Sequence, residues 1–200
     1  MSKGNISVQA ENIFPIIKKF LYSDHEIFLR ELVSNAVDAT TKIKTLAQKG
    51  EVKGDLGDIK IEIKVNNDTK TLHIIDKGIG MSEDEVNKYL NQMAFSSAEE
   101  FLAKYKGDAT IIGHFGLGFY SAFMVADKVE VITKSYRDDA PAVKWECDGN
   151  PEYTIEPNDK TERGTEIILY INEENKEYLE DHRIKELLNK YCKFLSIEIK

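Results

Sequence analysis

The spacing of apolar residues predicts two helices near the start of the chain. In residues 11–22 the apolar side chains recur at the three- and four-residue spacing of one helix face, after a short alternating segment at residues 6–10 that favours a strand. A longer helical pattern runs from about residue 25 to residue 48, and Gly50 follows it as a stop signal. A long amphipathic helix is therefore expected early in the fold.

Alternating apolar and polar positions predict strands in the rest of the chain. Residues 59–65 and 71–75 flank a turn-like Asn-Asn-Asp-Thr sequence, which indicates an antiparallel hairpin. Further strands are predicted at residues 128–135, 142–147 and 164–171, and a closing helix at residues 175–195. Capping boxes at Ser82/Glu85 and Ser97/Glu100 each predict a helix start. The fold class expected from this order is α+β, a two-layer sandwich with helices on one face of the sheet.

Composition narrows the class of protein. Two hundred residues favour a single domain, and 27 basic against 35 acidic residues give a net charge of −8. This balance argues against a broad surface for nucleic acid or an anionic membrane. Two cysteines are too few for a disulfide framework, no signal-peptide pattern follows Met1, and we expect a cytoplasmic protein. The uncharged residues 109–126 contain three glycines, so we interpret them as a buried loop and helix, not a membrane span.

The long helix places three polar side chains in one stripe. At about 100° per residue, Glu31, Asn35 and Asp38 fall within an arc of roughly 80° at the edge of the apolar face. A glutamate with restricted water access can act as a general base. An asparagine carbonyl is an oxygen ligand suited to Mg²⁺. The alternative is the acidic rim of an ordinary amphipathic helix. The stripe alone favours this alternative, and the functional interpretation needs a partner motif.

Two glycine-rich segments suggest a ligand site. Asp76-Lys-Gly78-Ile-Gly80 ends a predicted strand. Its glycines would let the backbone approach a flat ligand, and the Asp76 carboxylate would accept a hydrogen bond from an exocyclic amine. The alternative is a plain turn that begins with aspartate. Gly113-His-Phe-Gly116-Leu-Gly118 leads into a predicted helix, as phosphate-binding loops do, although a tight helix crossing explains it equally well. It lacks the lysine of a P-loop and the spacing of a dinucleotide fingerprint.

Taken together and in order, these motifs resemble those of the GHKL, or Bergerat-fold, ATPases. The motifs are Glu31-x-x-x-Asn35-x-x-Asp38-Ala39, Asp76-x-Gly78-x-Gly80, Gly113-x-x-Gly116-x-Gly118 and Gly164-Thr165. Residues 21–39 and 113–121 are similar to the N-terminal nucleotide-binding domain of the ninety-kilodalton heat-shock chaperones, bacterial type. The resemblance covers nearly all of residues 1–200 and implies a mixed, mostly antiparallel sheet with ATP or ADP and Mg²⁺ held under a lid at about residues 93–119.

The resemblance also assigns roles by position. Glu31 would activate the attacking water, Asn35 would ligate Mg²⁺ and Asp76 would accept from the adenine amine with support from Thr165. This implies a preference for ATP over GTP, because a carboxylate repels the guanine carbonyl oxygen. The other residues placed in the nucleotide site are Asp38, Ala39, Lys42, Gly80, Met81, Asn91, Gly116, Leu117, Gly118 and Phe119. His114 stands where the family usually has glutamine, and the segment from Met93 to Ser97 is shortened, so the lid contacts there are expected to differ.

The implied function is that of an ATP-hydrolysing chaperone domain acting on unfolded client proteins. Middle and C-terminal dimerisation domains would lie outside these residues, so we expect the isolated domain to be a monomer that binds nucleotide, turns it over weakly and accepts adenine-site inhibitors. One alternative is a regulatory GHKL module without hydrolysis, which generally lacks the glutamate found at Glu31. Another is a type II topoisomerase or mismatch-repair ATPase, which the acidic balance and residues 21–39 disfavour.

Overall fold

The computed structural model describes residues 24–52, 54–91, 118–150 and 152–200. Their strands form a six-stranded sheet, and helices pack on one of its faces. In chain order the elements are α1 (Ile27–Gln48), β1 (Glu62–Asn66), β2 (Thr71–Asp76), α2 (Glu83–Tyr89), a 3₁₀ helix (Gly118–Met124), β3 (Ala126–Lys134), β4 (Ala142–Cys147), β5 (Thr154–Asn158), β6 (Gly164–Ile171), a second 3₁₀ helix (Glu173–Leu179) and α3 (Asp181–Tyr191). The expected α+β fold with one covered face is confirmed.

Helix α1 supplies much of the core. Phe28, Leu29 and Leu32 are fully buried on its apolar face. Its buried threonines do not carry unsatisfied hydroxyls, because Thr40 and Thr45 donate to the carbonyl oxygens four residues earlier at 2.8 and 3.0 Å. The helix ends before Gly50, which has a φ of 74°, as the sequence predicts. A long, buried helix is thereby available to hold side chains against the sheet.

The strands pair antiparallel in the order β1-β2-β6-β3-β4-β5. A parallel contact joins Ile61 to Ile199, beyond the strand ends. Residues directly opposite one another share a face, so the register defines rows across β2, β6 and β3. The three rows on the helix-covered face are Leu72–Leu169–Val129, Ile74–Ile167–Val131 and Asp76–Thr165–Thr133. The face is therefore apolar for two rows and polar at the third, where β2 ends.

The first predicted hairpin and the first capping box are confirmed. Strands β1 and β2 pair across the turn that follows Asn66. Ser82 caps α2 and Glu85 reaches back to the Ser82 N–H at 2.8 Å. Helix α2 then presents its buried Val86 to the core.

Two predictions about the second half of the chain need correction. Strand β5 was not predicted, because its sequence is polar and contains Pro157, which an outermost strand tolerates. The closing helix predicted at residues 175–195 is two helices, since Glu180 is extended with φ −98° and ψ 121°. The preceding 3₁₀ helix places the Tyr178 ring 4.9 Å from that of Phe28, a contact with the core that the break at Glu180 permits.

Several predictions fall outside the described residues. They concern the strand at residues 6–10, the helix at residues 11–22, the Ser97 capping box and most of the segment at about residues 93–119. Within the described ranges, no helix has both the length and the apolar character needed to cross a bilayer.

Candidate functional site

Asp76 ends strand β2 at the polar row and is 5% exposed. Its Oδ1 accepts the Gly78 N–H at 2.8 Å, as an aspartate does at the start of a tight turn. Burial raises the pKa of Asp76 to about 7, although the N–H groups of Gly78 and Thr165 favour the charged form. A buried carboxyl group with a pKa so far from its ordinary value is typical of functional sites.

Two threonine hydroxyls continue this row. Thr165 lies opposite Asp76 on β6, and Thr133 lies opposite Thr165 on β3. The two Oγ1 atoms are 3.0 Å apart, and Thr133 Oγ1 also accepts the Met81 N–H at 2.9 Å. The sequence-predicted residues Asp76, Met81 and Thr165 are thus brought together around Thr133. Sequence reasoning missed Thr133, because only the register of the sheet aligns it with Thr165.

The glycines after Asp76 have a packing role that the sequence did not predict. A Cβ atom at Gly78 would lie 2.5 Å from the Ala39 carbonyl carbon, and one at Gly80, where φ is 61°, would lie 1.8 Å from the Lys134 carbonyl oxygen. Both glycines therefore permit backbone packing within the protein. Their approach to a ligand stays a prediction. The loop is held against α1, since the Ile79 N–H donates to the Ala39 carbonyl at 3.0 Å.

The predicted stripe on α1 lies at the edge of this loop. Asp38 and Lys42 are buried, and Ala39 and Asn35 are half-buried. Ala39 contacts the loop after Asp76. From Ala39 back to Glu31, α1 therefore leads away from the polar row. The helix rises about 12 Å between Ala39 and Glu31.

Glu31 lies against the start of the first 3₁₀ helix. Its Oε1 accepts from Arg30 Nη2 at 2.8 Å, and its Oε2 would be 2.8 Å from a Cβ atom at Gly118. The Glu31 side chain is 26% exposed, so water reaches it. The structure therefore brings Glu31 and Gly118 together, as the resemblance implies. Gly116 and Leu117 lie outside the described residues.

Phe119 and Asn91 meet at Trp145. The Phe119 ring is buried with its centroid 5.5 Å from that of Trp145, so the side chain packs in the core. Trp145 Nε1 donates to Asn91 Oδ1 at 2.8 Å, and the Asn91 amide donates to Asn87 at 2.9 Å. Asn91 is thus held at the end of α2 beside the aromatic cluster. Its side-chain hydrogen bonds to Trp145 and Asn87 do not join it to the polar row.

Several cysteine, tryptophan and histidine side chains to which the sequence analysis gave no role are buried or hydrogen-bonded within the fold. Cys147, Cys192 and Trp145 are buried. His25 bonds Asn175 at 3.1 Å, and His73 bonds Glu166 at 2.8 Å. Across the described ranges, no group of three or more His, Cys, Asp or Glu residues could hold a metal ion by itself.

Comparison with known proteins identifies the family. A family model described as "Histidine kinase-, DNA gyrase B-, and HSP90-like ATPase" matches residues 22–175. The chain is 66% identical over 200 residues to a protein of Bacteroides thetaiotaomicron named "Chaperone protein HtpG". It is 64% identical over 198 residues to one of that name from Porphyromonas gingivalis, and 42% identical over 196 residues to one from Chromobacterium violaceum.

These alignments cover 100%, 98% and 96% of this chain but 29%, 29% and 31% of the three relatives. The chain thus spans about three-tenths of the length of the curated relatives it matches. The family match extends from just before α1 to the second 3₁₀ helix and so includes every described site residue named above. The chain belongs to the family of histidine kinase-, DNA gyrase B- and HSP90-like ATPases.

Proposed function

We propose that residues 1–200 form one nucleotide-binding domain, and that this domain binds and hydrolyses ATP as part of a chaperone of the ninety-kilodalton heat-shock type. The carrying observation is that α1 touches both ends of the candidate site. Ala39 contacts the loop after Asp76, and Glu31 contacts Gly118. The separation of about 12 Å along the helix is comparable to the span from a purine ring to the terminal phosphate of a bound nucleotide.

The polar row suits the base of the nucleotide. Asp76 offers a buried acceptor to the adenine amine, and Thr165 offers a hydroxyl beside it. Ile74 and Ile167 form the adjacent apolar row, which suits the face of a flat ring. The site therefore combines apolar walls with a few oriented polar groups.

Glu31 suits the reacting end. In the hydrolysis reaction a water oxygen bonds to the terminal phosphorus, the bond from phosphorus to the bridging oxygen of ADP breaks, and the water loses a proton. The Glu31 carboxylate accepts that proton, or it orients the water for attack on the phosphorus. Arg30 holds one carboxylate oxygen while the other faces Gly118, so the ion pair fixes the orientation of the base. Gly118 and Phe119, with Gly116 and Leu117, would offer backbone N–H groups to the phosphates.

Asn35 suits the Mg²⁺ that accompanies ATP. It lies one turn after Glu31 on the same helix face, half-buried, and its amide oxygen is a ligand type that Mg²⁺ accepts. A single protein oxygen fits an ion whose other ligands are phosphate oxygens and water. When bound, the ion neutralises charge on the phosphates. Asp38 and Lys42, which lie further along α1 from Glu31, continue this helix face towards the loop after Asp76, at the base end of the proposed site.

The names of the relatives support the chaperone role. Each of the three is a "Chaperone protein HtpG", so we propose unfolded client proteins as partners and a homodimer as the assembly of the whole protein. For the 200-residue polypeptide alone we expect a monomer with slow turnover, because the family resemblance implies middle and C-terminal dimerisation domains that would lie outside these residues. Adenine-site inhibitors are expected to compete with ATP.

Calorimetric titration with ATP and Mg²⁺ tests the proposal. We expect Asp76→Asn to abolish binding, since an amide cannot replace the buried acceptor without presenting its own donors. Asp68→Asn makes the same chemical change at an exposed turn of the same hairpin and should leave binding unchanged. Glu31→Ala should retain binding and lose the hydrolysis that the native polypeptide shows.

Three results would count against this assignment. Normal ATP binding by Asp76→Asn would remove the base site from the polar row. Undiminished hydrolysis by Glu31→Ala would remove the general base and favour a different reaction centre. Fast turnover by the native 200 residues would contradict the need for a following domain.

A further inference from the structure

Thr133 belongs to the polar row, but the proposed contacts with the nucleotide do not include it. It is 0% exposed and lies in the middle of three strands, between Thr165 on β6 and Val143 on β4. Its hydroxyl accepts the Met81 N–H at 2.9 Å and lies 3.0 Å from Thr165 Oγ1. Since Thr133 has no exposed surface, its effect on a ligand has to pass through a neighbour.

The position of the hydroxyl hydrogen follows from the available acceptors. A threonine hydroxyl has one hydrogen to donate and two lone pairs. Thr133 uses one lone pair for Met81, and a fully buried hydroxyl needs an acceptor for its hydrogen. The Gly164 carbonyl lies at 3.4 Å, which is long for such a bond, whereas Thr165 Oγ1 lies at 3.0 Å. Thr133 therefore donates to Thr165.

This direction leaves the Thr165 hydrogen to be donated elsewhere. In the described part of the chain Thr165 Oγ1 has Thr133 as its hydrogen-bond partner, and Asp76 lies opposite Thr165 on β2. The row then presents an acceptor at Asp76 next to a donor at Thr165. That pair matches the edge of a 6-aminopurine, which has a donor amine beside an acceptor ring nitrogen. A 6-oxopurine has the reverse arrangement.

We propose that Thr133 is a positioning residue for base recognition, which fixes the Thr165 hydroxyl as a donor towards the purine ring nitrogen. The inference rests on the proposed function and adds to it a specificity determinant that does not touch the ligand. Asp76 distinguishes the substituent at position 6 of the purine by accepting its amine. Thr133, acting through Thr165, distinguishes an unprotonated from a protonated neighbouring ring nitrogen. Without the Thr133 hydroxyl, Thr165 is free to turn and accept from the N–H of a 6-oxopurine.

The test compares the affinities of ATP and inosine triphosphate, which differ at these two positions of the base. We expect the native chain to bind ATP more tightly than inosine triphosphate. In Thr133→Val the ratio of the ATP affinity to the inosine triphosphate affinity should fall about tenfold, which is the effect of losing one hydrogen bond. Thr133→Ser keeps the hydroxyl and should keep the native ratio. Thr165→Val should lower the ratio, and adding Thr133→Val to it should cause no further change.

The ratio separates a positioning role from a structural one. Valine has nearly the shape of threonine but leaves the Met81 N–H without its acceptor, so Thr133→Val lowers stability as well. Both affinities are measured on the same folded protein, and a purely structural loss weakens both nucleotides equally. If the valine variant does not fold, Thr133→Cys, whose thiol is a weak donor, serves in the same comparison.

An unchanged ratio in Thr133→Val overturns the inference, as does a double variant whose losses add. Either result leaves the proposed function intact, because the native chain still binds ATP. Failure of the native chain to bind ATP instead removes the proposed function, and the inference with it.

Discussion

At the scale of single residues, Asp76 carries an unusual cost for the ligand-free domain. Its carboxyl group is buried, and burial raises its pKa to about 7. Since the folded-state pKa is above the unfolded value, protonation of Asp76 stabilises the free fold at acid pH, and this contribution is lost as the pH rises through about 7. In the proposed complex an adenine amine would donate to the charged form, so ligand binding would oppose the effect of burial.

This opposition predicts pH-dependent affinity. Between about pH 8 and about pH 6 the charged fraction of Asp76 falls roughly tenfold, and we expect the affinity for adenosine to fall by about the same factor. Adenosine is the better probe because it has no titrating phosphate. Titrations in buffers of different ionisation enthalpy should also show proton release on binding near pH 7. An affinity that stays constant over this range would contradict the assignment of Asp76 as the base acceptor.

Residue chemistry was partly predictable from the sequence. The sequence marks Asp76 and Thr165 through their neighbouring glycines, and the structure places both in one row. Thr133 has no such neighbour and is found only once β6 is aligned with β3. The reason for Gly78 and Gly80 was also out of reach, because it depends on how closely Ala39 and Lys134 approach them in three dimensions.

At the scale of elements, α2 depends on its capping box. The Ser82 hydroxyl accepts the Glu85 N–H at 3.4 Å, and the Glu85 carboxylate accepts the Ser82 N–H at 2.8 Å. We expect Ser82→Ala to lower the free energy of unfolding by about 0.5–1 kcal/mol, because the cap bond is at the long end of the range. Urea unfolding measures this change.

Ser82→Asp is the matched control for that variant. An aspartate retains an acceptor at the cap and adds a negative charge near the helix start, so it should preserve stability. Equal losses of stability in the alanine and aspartate variants would mean that the hydrogen-bond acceptor at the cap position does not stabilise α2. The three acidic residues Glu83, Asp84 and Glu85 already occupy the first turn of α2, which limits any gain from the added charge.

Element boundaries followed the strength of the local pattern. Helix α1 was predicted to within a few residues, because its apolar repeat is long and Gly50 marks its end. The break at Glu180 was missed, since the sequence around it keeps a helical spacing and the interruption serves a distant contact of Tyr178 with Phe28. Strand β5 was missed because a polar edge strand shows little alternation.

At the scale of the whole molecule, ligand binding should be visible as thermal stabilisation. A ligand at one hundred times its Kd adds about 2.7 kcal/mol to the stability of the state that binds it. For a domain of this size that corresponds to a rise in Tm of about 5–10 °C. We expect this rise with ATP and Mg²⁺ by scanning calorimetry.

GTP at the same concentration provides the comparison. Its carbonyl oxygen would face the Asp76 carboxylate, so we expect a much smaller rise in Tm. Equal shifts with the two nucleotides would be inconsistent with base recognition by Asp76. Both ligands carry the same phosphates, and the comparison therefore isolates the polar row from the phosphate end of the site.

The net charge of −8 does not conflict with an anionic ligand. It disfavours a broad basic surface, whereas backbone N–H groups and a bound cation act over a few ångströms. The buried polar side chains of the candidate site include Asp38 and Lys42 on α1, Asp76 on β2 and Thr165 on β6. Overall charge thus describes the surface of this domain and not its site.

The position of Trp145 has a practical consequence. It is the single tryptophan of the chain, its indole N–H is bound to Asn91, and its ring lies against Phe119 and Tyr153. Indole emission responds to hydrogen bonding and to nearby rings, and all emission from tryptophan in this chain arises at one place. The domain thus contains its own fluorophore beside Phe119, which follows Gly118 in the proposed phosphate loop, and we expect that nucleotide binding can be followed in real time without attaching a dye.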